Sequence, residues 1–382
     1  MLALQIYTFA CMYKLFSALF CMLVGVWSCV GGGGGVAPSS DTIPMGYASG
    51  IVMEDFGNCI VATVKDPWKE GVTLARYVLA DSAAIAAGGL PGGTLVRVPL
   101  RRLVAASAPH AALIGMLCEQ GCVAGVCDPG YMKAAYVAEG LAEGKVADCG
   151  SALSPNWERI VGIGADAVLV LAFEQGTAFS KVAAAGVPVV ECAEYMERSA
   201  LGRAEWMRFY GRLFGCAGKA DSLFCEVERR YAGLRTLAAT DGVGHPSAIT
   251  ERVYGSVWYV PGGRSSAAGL MADAGMEYVF RKDTRSGSLP LPFEKVLYEA
   301  AAADVWLLNH DGGLTLAALA GEKSGYGRIK AFRDGNVWGV DVSATDYFEQ
   351  LSWRPDTILR DYAAIAHPGL GLGIPAFYKR LR

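Results

Sequence analysis

The sequence predicts an α/β protein of two three-layer lobes, each built on a parallel sheet, joined by a single long helix. Three observations predict it. From residue 102 onward, short apolar runs rich in valine and leucine alternate with helical stretches, the pattern of parallel strands covered on both faces. Residues 217–240, AGKADSLFCEVERRYAGLRTLAAT, form a helical run without proline that separates two such blocks. Finally, one phrase occurs in each block. Trp157-Glu158-Arg159-Ile160 leads to Ala165-Asp166-Ala167-Val168-Leu169, and Phe293-Glu294-Lys295-Val296 leads to Ala303-Asp304-Val305-Trp306-Leu307. Each copy has a glutamate at a helix start, a basic residue after it, and Ala-Asp before a buried strand, so the two lobes are expected to share one design.

The bulk composition fits this. A chain of 382 residues, 53% hydrophobic and 19% charged, has length and apolar material for two cores. A net charge of −3 and a pI near 5.9 provide no basic field for nucleic acid, which is excluded as a partner.

In chain order, residues 1–28 read as a signal peptide: Lys14, then the apolar run LFSALFCMLVGVWS ending on the small Ser28. The run is short for a membrane span. Val26-Trp27-Ser28-Cys29 resembles the lipobox of bacterial lipoproteins, which implies lipidation of Cys29. Residues 29–46 contain an unbroken glycine run, Gly31 to Gly35, and read as a tether reaching roughly 20 Å on average. The expected location is therefore periplasmic or at the cell surface, on a lipid anchor.

Residues 47–216 form the first lobe. It opens with a small antiparallel layer (GIVMEDF, GNCIVATVKDPW, GVTLARYVLA, GGTLVRVPL) and continues with LVAAS, CVAGV, DAVLVLAF and VPVVEC as parallel strands. LGRAEWMRFYGRLFG closes it as one amphipathic helix. Residues 217–242 are the linking helix. Residues 243–382 are the second lobe, with RVYGSVWYVP, EYVFR, DVWLLN and NVWGVD as strands and two terminal helices in DYFEQLSWRPDTILRDYAAIAHP. Eight cysteines follow the leader. Cys118, Cys122 and Cys127 have loose metal-like spacing, but small buried thiols suit their helix and strand positions; disulfides stay open in an exported chain.

From about residue 100 to its end the chain resembles the substrate-binding proteins of ABC importers for iron complexes and vitamin B12. The phrases GSALSPNWERI, ECAEYMERSALGRAEWMRFYGRLFG, WYVPGGRSSAAGLMADAG, TRSGSLPLPFEKV and DYFEQLSWRPDTILRDYAAIAHPGL carry the likeness. The resemblance implies the class III periplasmic-binding-protein fold, with ligand in the cleft between two lobes. It also implies docking onto arginines of a dimeric inner-membrane ABC permease through one glutamate per lobe, at Glu158 and Glu294. Without that likeness, both are simply acids favoured at a helix start, by about 0.3–1 kcal/mol.

The ligand expected is a bulky metal chelate: a ferric siderophore, haem or cobalamin. Bare-metal capture would need several clustered ligands, and the four histidines (His110, His245, His310, His367) form no close pair in sequence, so no metal-ligating site is expected. A chelate needs aromatic walls and polar groups at its rim, on loops beyond the carboxyl ends of the strands. In the first lobe these loops carry Ser107 and His110, Asp128 and Tyr131, and Phe173 and Glu174. In the second they carry Trp258 and Tyr259, Arg264 and Ser265, Ser286 and Ser288, and Asn309. The ligand contacts chosen are Tyr131, Phe173, Trp258, Tyr259, Arg264, Ser265 and Ser288. Trp258 and Tyr259 alternate on a strand, so one of them faces the core; Arg264 suits an anionic rim, and Pro261-Gly262-Gly263 suits either an anion or a plain turn. No G-x-S-x-G surrounds Ser107 and no G-x-G-x-x-G opens the first βα unit. The chain is therefore expected not to be an enzyme and to carry no intrinsic cofactor, the rival being a secreted α/β hydrolase or other enzyme on a two-lobed fold.

Overall fold

A computed structural model describes residues 40–173, 176–240 and 244–382. The signal segment 1–28, Cys29 and the tether up to residue 39 lie outside the described residues, as do Glu174 and residues 241–243.

The described chain begins with a five-stranded sheet of β1 (Asp41–Ile43), β2 (Ile51–Asp55), β3 (Ile60–Lys65), β4 (Thr73–Ala80) and β5 (Thr94–Arg97), in that order. The first four pair antiparallel, as their frequent turns predict. The fifth is parallel to β4, a departure from the expected all-antiparallel layer. Its cause is a crossover through α1 (Ser82–Ala87), whose start Asp81 caps by accepting from Ala84 N.

Lobe 1 runs β6 (Leu103–Ala105), α2 (Ala108–Met116), β7 (Val123–Val126), α3 (Ala135–Ala142) and β8 (Ala147–Asp148). It continues through the hairpin β9 (Gly150–Ser151) and β10 (Ser154–Pro155), then α4 (Trp157–Gly162), β11 (Ala167–Leu171), α5 (Ser180–Ala184) and β12 (Val189–Cys192). The sheet order is β12-β11-β6-β7-β8, all parallel. Along β11, Ala167 and Leu169 enter one core and Val168 and Val170 the other, as a strand buried on both faces must.

The segment expected as one closing helix is two, α6 (Ala200–Glu205) and α7 (Met207–Phe214). They break at Trp206, whose fully buried indole donates to Glu197 Oε1 at 2.9 Å. Glu197 and Glu205 also clamp the start of the folded chain. Glu205 accepts from the backbone N–H groups of Gly46, Tyr47 and Ala48, and Glu197 from those of Ser49 and Gly50, all at 2.7–3.0 Å.

The linking helix α8 (Ala217–Thr240) buries Ala220, Phe224, Val227, Tyr231 and Ala238, a single stripe at helical spacing. Its 24 residues span about 36 Å.

Lobe 2 begins with β13 (Ser247–Thr250), a four-residue strand after Pro246 that the sequence pattern hides. RVYGSVWYVP, expected as one strand, folds as the hairpin β14 (Val253–Tyr254) and β15 (Val257–Pro261), turning at Gly255 with φ +62°. Then come α9 (Ser266–Asp273), β16 (Glu277–Tyr278), β17 (Ser288–Pro292), α10 (Phe293–Glu299), β18 (Val305–His310), α11 (Leu316–Glu322), α12 (Lys330–Arg333) and β19 (Val337–Asp341). The chain ends with α13 (Tyr347–Trp353), α14 (Pro355–Ala366) and β20 (Lys379–Arg380). The main sheet is β16-β13-β18-β19-β20, parallel except for β20; β14, β15 and β17 form a separate antiparallel sheet.

With the two-residue edge strands β8 and β20 set aside and the rest numbered within each lobe, the four remaining strands of each sheet share one order. Strands β7-β6-β11-β12 and β16-β13-β18-β19 both read 2-1-3-4. The repeated Ala-Asp has the same task in both. Asp166 Oδ2 accepts from Arg101 N and Arg102 N just before strand 1 of its lobe, at 2.8 and 2.9 Å. Asp304 Oδ2 accepts from Ser247 N, at the start of strand 1 of the other, at 2.9 Å.

In each lobe the helix between strands 1 and 2 contributes to one large core, shared by both lobes with α6–α8, α13 and α14. The helix before strand 3 packs on the opposite face, over a core belonging to its own lobe. The lobes also touch directly. Trp353 Nε1 donates to Pro109 O, Lys133 N to Glu349 Oε1, and Lys133 Nζ to Ser343 O, each at 2.7 Å. No helix of the described residues is long and apolar enough to cross a membrane.

Candidate functional site

A 2-1-3-4 order has its topological switch point between strands 1 and 3, where successive connections leave in opposite directions and open a crevice at the carboxyl edge. Each lobe has one such point. The contact of Lys133, after β7, with Ser343, after β19, shows that loops at the two carboxyl edges approach each other.

In lobe 1 the edge carries Ser107, His110 and Phe173, flanked by Tyr131 after strand 2 and Tyr195 after strand 4. Tyr131 is 51% exposed at the end of a 3-10 turn. Phe173 is half-buried and tilts against Tyr195 with ring centroids 6.4 Å apart; the Tyr195 hydroxyl donates to Ala172 O. Ser107 and Asp128 are committed to structure. Ser107 Oγ caps α2 by accepting from His110 N, and Asp128 Oδ2 accepts from Ala152 N at 2.7 Å, holding the β9–β10 hairpin. His110 is buried and points inward, away from the edge's exposed rim.

In lobe 2 the switch point carries a residue that pattern reading missed. Glu251, directly after β13, has φ +60°, a left-handed conformation that costs a non-glycine residue about 1 kcal/mol or more. Three bonds hold it there. Its N–H donates to Leu307 O, its carbonyl accepts from Trp306 Nε1 at 2.7 Å, and its Oε1 accepts from Asn309 Nδ2 at 3.0 Å. Burial pushes the Glu251 carboxyl up to about 7, only partly countered by the neighbouring Arg252. Among the described residues, Asn309 Oδ1 is buried without a hydrogen-bond partner. The switch point thus holds a carboxyl poised near neutrality and an unused amide acceptor. Only the backbone conformation distinguishes Glu251 from a routine post-strand residue, and no sequence motif signals that.

The remaining candidates separate. Trp258 does not reach a cleft. It is fully buried, with ring centroids 5.5 Å from Trp306, 5.6 Å from Tyr326 and 6.1 Å from Phe293, and its Nε1 donates to Thr250 O. Strand alternation leaves Tyr259 on the other face, half-buried. Ser265 caps α9, accepting from Ala268 N and donating to Gly262 O, so its hydroxyl is already engaged. Arg264 is exposed, and Ser288 is half-buried where β17 begins. Gly262 and Gly263 have a packing cause, since a Cβ on either would collide with backbone carbonyls of residues 280–287. Two hollows of about 400 and 430 Å³ lie along α8; neither is lined by a switch-point residue.

Glu158 and Glu294 are exposed in the first turns of α4 and α10. Asn156 caps α4, accepting from Arg159 N at 3.0 Å, while α10 starts after Pro292 without a side-chain cap. Each helix runs back to begin strand 3 of its lobe, so its amino end lies at the carboxyl edge. The two glutamates therefore occupy equivalent sites. The eight cysteines of the described residues are all free thiols.

Residues 125–341 match the periplasmic binding protein family, more than half of the chain. An uncharacterized lipoprotein of Methanocaldococcus jannaschii is 28% identical over 284 residues, covering 72% of this chain and 67% of its own. Among solved structures, a periplasmic heme binding protein from Pseudomonas aeruginosa superposes with a TM-score of 0.56 at 15% identity, over 70% of this chain and 93% of that one. An ABC-type Fe3+-hydroxamate transport system protein from Saccharomonospora viridis gives 0.54 at 18%, also over 70% and 93%. At such identities these two speak for the fold alone, and they share it. With its paired 2-1-3-4 lobes and single linking helix, this chain belongs to the periplasmic binding protein family, the solute-binding components of ABC transporters.

Proposed function

We propose that this protein captures a chelated metal, as a ferric siderophore, haem or cobalamin, between its two carboxyl edges and delivers it to a dimeric ABC permease, held near the membrane by lipid on Cys29. The observation that carries the reading is the pairing of unlike switch points. One offers aromatic surface in Tyr131 and Phe173; the other offers the Glu251–Asn309 pair with an amide oxygen to spare. A large flat or globular chelate needs both, an apolar wall and polar groups that fix its orientation. Tyr259, Arg264 and Ser288 remain candidates for the rim, Arg264 toward an anionic group. Glu158 and Glu294 would be the docking acids. Each has an exposed apolar neighbour: Leu153, 59% exposed at the hairpin before α4, and Tyr298, 80% exposed one turn after Glu294.

The test is titration of the purified protein with haemin, a ferric hydroxamate and cyanocobalamin, followed by ligand absorbance and tryptophan quenching. One of them should saturate at one per chain without turnover. Tyr131→Ala, Phe173→Ala and Asn309→Ala should each weaken it by about tenfold, the loss of roughly 1.4 kcal/mol. Saturation by none of the three defeats the chelate reading, and turnover would favour the hydrolase alternative.

A further inference from the structure

Sequence spacing gives no metal site, because its members lie far apart in the chain. The fold assembles one. His110 stands in the first turn of α2, Cys192 ends β12, and Glu194 follows two residues later. One ligand atom from each lies within 4.8 Å of the others, and all three residues are buried. His110 Nε2 is 3.3 Å from Glu194 Oε1, and Tyr210 Oη from α7 is 3.0 Å from His110 Nε2 and 3.2 Å from Glu194 Oε2. We infer that lobe 1 holds a structural divalent-metal site of the zinc class, ligated by His110, Cys192 and Glu194 with the Tyr210 hydroxyl as the fourth ligand.

Three arguments support it. The donors are an imidazole, a thiol and a carboxylate, each a side chain that zinc accepts as a ligand. Such an ion, with bonds of about 2.0–2.3 Å, sets neighbouring ligands roughly 3.3–3.8 Å apart. The His110–Glu194 pair already meets that spacing, and the Cys192 sulfur, which donates to Val190 O at 3.3 Å, lies within 4.8 Å of both.

Secondly, the site is underused without an ion. Among the described residues, Glu194 Oε1 is buried without a hydrogen bond, lying in ion-pair contact with His110 Nε2 at 3.3 Å, although such groups are nearly always satisfied. Thirdly, charge closes. A divalent ion that displaces to solvent the thiol proton, and any proton on the ligating nitrogen of His110, would face one thiolate and one carboxylate, whose two charges match its own.

Trp353 covers this cluster from α13, 5.4 Å from the Tyr210 ring. Metal would therefore enter during folding rather than through the cleft, and the site is separate from the transported ligand.

The whole chain purified from zinc-supplemented culture should retain one zinc per chain after dialysis. Refolded with cobalt(II), it should show a thiolate-to-cobalt charge-transfer band in the near ultraviolet. Cys192→Ser should lose the band, while Cys225→Ser, at an exposed position of α8, keeps it. Zinc present during refolding should raise the Tm of the unaltered protein, and a chelator should remove that gain. Substoichiometric zinc with no cobalt band in the unaltered chain overturns the proposal, whatever the variants do. So does a band that survives in folded Cys192→Ser.

Discussion

Glu251 joins backbone strain to ionisation. Its carboxyl is raised from the ordinary 4.5 to about 7 in the folded protein. Below about pH 4.5 it is neutral in folded and unfolded chains alike. As pH climbs toward 7 the unfolded chain ionises while the folded one keeps its proton, so stability falls across that window and levels off above it. The loss is at most about 3 kcal/mol. Glu251→Gln keeps the acceptor for Asn309 and cannot ionise. Denaturant melts from pH 4 to 8 should therefore show the variant gaining on the parent as pH rises, and parallel curves would mean that the carboxyl is hydrated. Trp258 makes a complementary point. Alternation required that one of Trp258 and Tyr259 face inward, but the choice rests on Trp306, Tyr326 and Phe293, which come from three other elements. Trp258→Ala should cost about 3–5 kcal/mol by leaving a cavity in that cluster, and ligand affinity should survive under conditions where the variant folds.

Among the elements, the recurring Ala-Asp was visible as a phrase, but its role was not. In both lobes the aspartate clasps backbone N–H groups where the neighbouring strand 1 begins, which fixes strand 3 beside it. Asp166→Ala and Asp304→Ala should each cost roughly 1–3 kcal/mol, because amides are left without acceptors. Their effects should add, since the two clasps share no partner; equal melting of either variant and the parent would reduce the clasp to surface decoration. Helices with apolar stripes and strands with apolar runs were readable, because their periodicity is local. What escaped were features decided by distant partners: the four-residue β13, the break at Trp206 drawn inward by Glu197, and β5 turned parallel by α1. The candidate site divides the same way. Post-strand positions could be named from the pattern, but a strained Glu251 and a cluster of His110, Cys192 and Glu194 exist only once the sheets are assembled.

Taken whole, the molecule is two copies of one four-strand order fused through a common core, with α8, α13 and α14 packed between them. That core leaves little freedom for the lobes to change separation, so acids at equivalent edges are held at a fixed span. On the docking proposal this rigidity matters more than the strength of either contact. A single exposed ion pair contributes only about 0.2–1 kcal/mol. Two on one rigid body act together, the first raising the effective concentration of the second. Reversal of Glu158 alone, or of Glu294 alone, should then reduce uptake into cells or proteoliposomes carrying the cognate permease. Glu158→Lys with Glu294→Lys should abolish it. Ligand titration of the same double variant should be unchanged, because neither side chain belongs to a switch point. Full uptake by the double variant would place the docking surface elsewhere, while loss of ligand affinity would move these glutamates from the permease contact to the ligand site.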